Sequence, residues 1–68
     1  MSWKKAQDEA QRWLDKARLA ELVKLGKPVD LRPYEHLLPP ESNFRTMVLR
    51  AARRKLDKKN LTVYLPGE

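Results

Sequence analysis

Trp3, Ala6, Ala10, Trp13, Leu14 and Ala17 recur at steps of three and four residues, the spacing that stacks side chains on one face of an α-helix. Ser2 stands where a helix N-cap belongs and Gly26 where a helix stops, with no proline or glycine between them. The pattern therefore predicts one long helix over residues 2–25. After Arg18 the phase changes: Leu19, Leu22, Val23 and Leu25 point several ways around the axis. The last two turns are expected to be covered on more than one side, and the first turns to pack on one side only or to project.

The segment "GKPVDLRPYEHLLPPES" follows. Val29 and Leu31 alternate around Asp30, enough for a very short strand after a Gly-Lys-Pro turn. "LRPYEHLL" reads as a short helix with Asp30 as N-cap and Pro33 in its first turn. Pro39 and Pro40 end it, because a residue before proline is pushed out of helical conformation. A final helix is expected to start at Ser42, or with Pro40 in its first turn, and to run to residue 59. Asn60 suits the left-handed conformation that closes a helix. "LTVYL" then alternates as a strand over residues 61–65, with Leu61, Val63 and Leu65 on one face and Thr62 and Tyr64 on the other.

On the 42–59 helix, Phe44, Val48, Leu49, Ala52 and Leu56 sort to one broad face, with Met47 and Ala51 at its margin. Thr46, Arg50, Arg53, Arg54 and Asp57 sort to the opposite face, and Lys58 and Lys59 extend the charge towards its end. This segment also holds most of the net charge of +6: residues 41–60 carry seven basic and two acidic side chains. Cations near a helix C-terminus are favoured by the macrodipole and are often only a solvated face. Surfaces that serve solubility alone tend to mix signs, and here acids are scarce. A polyanionic partner is the sharper reading.

Length and composition bound the rest. A chain of 68 residues with 41% apolar and 35% charged side chains supports one domain with a small core, near the lower limit of what folds unaided. Without cysteine it has no disulfide framework, no thiolate nucleophile and no cysteine-based zinc site. No apolar run approaches the roughly 20 residues of a membrane span, and the charged start "MSWKKAQDEAQRW" has no signal core. A cytoplasmic location is expected. There is no phosphate loop, nucleophile elbow or metal-ligand spacing. His36 is the single histidine, and neither Asp8 with Glu9 nor Glu35 with Glu41 falls in an acid–base motif, so no enzyme, metal or cofactor is expected.

The predicted order is helix, short strand, short helix, tight turn, basic helix, strand: a mainly α fold with a small β component. In that order "KLGKPVDLRPYEHLLPPESNFRTMVLRAARRKLDKKNLTVYLPGE" resembles the winged helix-turn-helix DNA-binding family over residues 24–67. Leu49, Ala52 and Leu56 match its usual core spacing, and "KLDKKNLTVYLPG" is similar to its exit into the wing. Three features differ. Arg53 stands where an apolar residue is common, "LPPES" lacks a glycine, and only one wing strand is present, which would pair with residues 29–31 or with another chain.

The resemblance implies a small DNA-binding regulator or architectural factor, nucleoid-associated, with RNA a lesser variant. Asn43, Arg45 and Thr46, with Ser42, would reach base edges from the N-terminal end of the recognition helix. Arg50, Arg53, Arg54 and Lys58 would grip phosphates, and Tyr64 with Thr62 would touch backbone or minor groove. Trp3 and Trp13 share one stripe that so small a domain can hardly cover. Together with the open edge of the last strand, they lead to an expected homodimer or docking on a larger protein. The other class of function is a protein-interaction module that uses those same two surfaces.

Overall fold

Alanines dominate the faces along which the two main helices meet. In the computed structural model, which describes residues 2–67, the chain forms α1 (Trp3–Lys16), α2 (Leu19–Lys24) and β1 (Val29–Asp30). A 3-10 helix (Arg32–Leu37), α3 (Ser42–Asp57) and β2 (Val63–Tyr64) follow. Ala6, Ala10, Trp13 and Leu14 of α1 are buried, as are Val48, Ala51, Ala52 and Leu56 of α3, and the packing of α1 on α3 is the largest contact in the molecule. Small side chains let the two backbones approach. The larger Trp13, Leu31, Leu56, Leu65 and Val48 then fill the ends of the shared core. Each fully buried leucine among them stabilises the fold by about 1.5–3 kcal/mol.

The expected single helix over residues 2–25 is broken. Arg18 adopts φ 57°, ψ 52°, a left-handed conformation that stops α1 and starts α2. The reason lies in the phase change after Arg18. At 3.6 residues per turn, an unbroken helix would carry Leu19 and Leu22 roughly 140–200° away from the middle of the alanine stripe. The left-handed step redirects the chain, so that Leu19 is buried and Leu22 packs against the core. The Arg18 carbonyl then accepts from Glu21 N at 3.0 Å and Leu22 N at 3.2 Å, opening the next helix. Gly26, at φ 69°, ends α2 as expected.

The two strands pair in parallel, Val29 opposite Val63 and Asp30 opposite Tyr64. Val29 N donates to Thr62 O and Leu31 N to Tyr64 O, both at 2.8 Å. Pairing of the last strand with residues 29–31 is thus realised, over a shorter ladder than the alternation at 61–65 predicts. Asn60, at φ 56°, makes the left-handed exit from α3.

Helix starts differ from expectation at two places. Asp30 precedes the cap position, which Leu31 occupies, and its Oδ1 accepts from Arg32 N at 3.1 Å. The short helix is 3-10 because Leu31, Tyr34 and Leu37 recur every third residue, the repeat that aligns side chains in that tighter coil. At α3 the cap is Glu41, not Ser42. Its Oε1 accepts from Asn43 N at 3.1 Å and its Oε2 from Phe44 N at 2.6 Å, satisfying two of the donors a helix start leaves open. Ser42 is the first helical residue and its carbonyl takes the Thr46 hydroxyl at 3.0 Å.

The two tryptophans have separate fates. Trp13 is 1% exposed, and its indole N–H donates to Tyr34 O at 2.9 Å. It is core, and the expectation that it forms an intermolecular contact is corrected: the 3-10 helix covers it and accepts its single donor. Trp3 is 36% exposed.

Candidate nucleic-acid interface

The outer face of α3 is set by the residues that must go inward. Once Val48, Ala51, Ala52 and Leu56 are buried, the 3.6-residue repeat leaves Asn43, Thr46, Arg50, Arg54 and Asp57 on the opposite side. Asn43, Thr46, Arg50, Arg54 and Asp57 are exposed. The Arg50 side chain makes no ion pair or hydrogen bond among the described residues.

This face is the floor of a groove. Thr46, Leu49, Arg50, Arg53 and Arg54 line it from α3, Trp3 from the start of α1, and Leu65, Pro66 and Gly67 from the segment after β2. The open space is about 850 Å³. Arg54 places its guanidinium carbon 5.6 Å from the centroid of the Trp3 ring, within the range of a cation–π contact. No carboxylate of the described residues lines the groove.

Arg53 differs from its neighbours. It is half-buried, donates from Nη2 to Val63 O at 3.4 Å, and has Nη1 3.8 Å from the Asp57 carboxylate. The carbonyls of Thr62 and Tyr64 face β1, so the residue between them turns its own polar groups to the outer edge of β2. Arg53 reaches that edge. Arg53 therefore acts as a tether between α3 and β2, and its role is structural as well as electrostatic.

The remaining candidates lie elsewhere. Arg45 is half-buried on the side of α3 that carries Ala52 and Leu56, about 140° around the axis from Arg50 by helical repeat. It does not join the arginine face, which corrects its assignment to a shared base-reading surface with Asn43 and Thr46. Lys58 is exposed beyond the groove in the turn that follows α3.

Tyr64 belongs to a second cluster, on the exposed face of the sheet. The Arg32 guanidinium lies 5.1 Å from its ring centroid and forks onto Asp30, with Nε 2.9 Å from Oδ1 and Nη2 3.0 Å from Oδ2. Those hydrogen bonds, with the one from Arg32 N, hold the Asp30 carboxyl below its ordinary pKa of 3.8, and the same pair raises that of Arg32. Arg32 escapes a search for basic runs because it stands alone between Leu31 and Pro33. Its one signal is the Asp-x-Arg spacing from the end of β1 to the first residue of the 3-10 helix.

His36 is exposed, with Nδ1 3.1 Å from Pro33 O. The described residues hold no group of three potential metal ligands and no helix long and apolar enough to cross a membrane. No family model, curated protein or solved structure matches the chain.

Proposed function

We propose that this protein binds DNA, as a small transcriptional regulator or architectural factor, and grips the sugar–phosphate backbone through the arginine face of α3. The observation that carries the reading is the convergence of Arg50, Arg53, Arg54 and Thr46 on one groove beside Trp3, with no carboxylate of the described residues on its walls. In a chain of net charge +6, such a groove concentrates positive potential where a polyanion would sit. Phosphate neutralisation by arginine supplies affinity that falls with salt and carries little sequence choice. Asn43, exposed on the same side of α3 and nearly two turns before Arg50, would add a base or sugar contact. The winged-helix resemblance supports the reading through element order alone. On this reading the protein works in the cytoplasm, on the nucleoid.

The experiment is a comparison of wild type with the double variant R50Q/R54Q, titrated with random-sequence DNA at low salt. Both side chains are exposed and neither hydrogen-bonds to the core, so the variant keeps the fold. Its affinity is expected to fall at least tenfold, the effect of two lost phosphate contacts. Equal affinity in a folded double variant would overturn the reading.

A second reading rests on a different surface. Val23 and Leu25 of the α2 segment are 39% and 65% exposed, and an apolar groove between α1, α2 and the turn after α3 includes Leu19, Val23 and Leu61. This corner favours contact with another protein or with a second copy of the chain. Sedimentation equilibrium at micromolar concentration distinguishes a stable homodimer from a strict monomer.

A further inference from the structure

The arginine face of α3 is flanked by other elements, with Trp3 of α1 and residues 65–67 lining the same groove. A helix that reads duplex DNA has to enter the major groove and so must stand proud of its surroundings. Here Trp3 and residues 65–67 share an open groove with Arg50 and Arg54. The open space, about 850 Å³, falls within the roughly 300–1,000 Å³ of small-ligand sites. That is room for one or two nucleotides.

The lining chemistry is also particular. Trp3 is the large aromatic side chain of the groove, held at the first turn of α1, and its ring accepts the flat guanidinium of Arg54 at 5.6 Å. A ring that takes a planar cation on its face is open to a planar base, and base–aromatic stacking contributes about 1–3 kcal/mol per base. Leu49, Leu65 and Pro66 add apolar wall beside it, while the Thr46 hydroxyl oxygen remains able to accept. Arg50 and Arg54 lie one helical turn apart on the same side, a spacing of roughly 6 Å along the axis, close to the distance between successive phosphates of a stacked or extended strand. Arg53, engaged with Val63 O and Asp57, holds the wall rather than the ligand.

We propose that this groove binds an unpaired stretch of nucleic acid, one base stacked on the Trp3 indole and the adjoining phosphates on Arg50 and Arg54. The proposal rests on the nucleic-acid reading above and narrows its substrate to single strands or opened duplex. Arg54 leaves the indole as the base arrives and exchanges a cation–π contact for a phosphate.

The test uses the intact chain at low salt, with a thymidine oligonucleotide as probe and a blunt duplex of the same length as comparison. Because Trp13 is buried, quenching of tryptophan emission on addition of the oligonucleotide reports stacking on Trp3. The single strand is expected to bind at least tenfold more tightly than the duplex and to quench this emission. In W3L, checked for helix content by circular dichroism, its affinity is expected to fall at least fivefold, and W3F is expected to restore most of the loss. Equal affinity for the two forms, or no quenching in the wild type, overturns the stacking site but leaves the arginine face as a backbone contact. Failure of both probes to bind overturns the nucleic-acid reading itself.

Discussion

Replacing Arg18 by glycine should stabilise this protein, and the sign of the effect separates the observed fold from the unbroken helix that the residue types suggest. Arg18 sits at φ 57°, ψ 52°, where a side chain crowds the following carbonyl at a cost of about 1–2 kcal/mol. Glycine removes that cost and brings back about 0.5–1 kcal/mol through the greater freedom of the unfolded chain. The side chain itself contributes little: its pairing with Glu21 is 3.8 Å long between exposed groups, a class of ion pair worth close to nothing. The net gain is about 0.5–1 kcal/mol. For a domain of this size each kcal/mol moves the midpoint by about 4–8 °C, so R18G should melt roughly 2–8 °C above wild type. The assay is thermal unfolding followed by far-ultraviolet circular dichroism, with urea unfolding as a check. R18A is the control, because alanine keeps the Cβ and therefore the strain, and should show no comparable gain. In a continuous helix the ranking inverts: glycine in the interior would cost about 1 kcal/mol relative to alanine. A lower midpoint for R18G than for R18A would refute the break at Arg18.

Leu56→Ala should cost about 2–5 kcal/mol, since Leu56 is fully buried where α3 meets α1 and its truncation leaves a cavity; in so small a domain much of the population unfolds, which a chemical denaturation curve will show. Glu41→Ala should cost about 0.5–2 kcal/mol through loss of two cap hydrogen bonds, whereas Ser42→Ala should be close to neutral, and urea midpoints of the two variants distinguish which residue caps α3. Asp30, held below its ordinary pKa of 3.8 by Arg32, stabilises the fold fully above that value and loses the contribution as pH falls through the lower folded pKa. Asp30→Asn should therefore flatten the acid limb of the stability–pH curve and leave its slope above pH ~5 unchanged. Adding R53Q to R50Q/R54Q should lower the melting temperature, which the double variant does not, because Arg53 alone of the three bonds to the β2 backbone.

Much of this architecture is written in local patterns. The alternation at 61–65 and the pair Val29 and Leu31 locate the two strands, and the helical repeat from Phe44 to Leu56 separates core from arginine face without further information. Gly26 and Asn60 mark real helix ends because a positive φ is their common use. What escaped detection depends on tertiary contacts. Arg18 carries a left-handed conformation that its residue type disfavours, and the burial of Leu19 compensates. Its one trace is the change of apolar phase that follows it. Glu41 outcompetes Ser42 as a cap through two carboxylate oxygens that reach two amides at once. Trp3 and Trp13 lie close to one stripe on a helical wheel, and the 3-10 helix, whose Tyr34 carbonyl accepts the Trp13 indole N–H, tells them apart. Arg53 and Arg54 are neighbours in a basic run, yet one faces a strand carbonyl and the other an indole. A charge count does not separate the two.

The salt dependence of binding tests the central claim most directly. Plotting log affinity for a single-stranded oligonucleotide against log salt concentration yields a slope of about −0.7 for each phosphate neutralised. With Arg50 and Arg54 as phosphate ligands, R50Q/R54Q should bind with a slope shallower than wild type by about 1.4, and with its melting temperature unchanged. A wild-type affinity indifferent to salt, or two parallel lines for wild type and double variant, would contradict the assignment of this groove to nucleic acid.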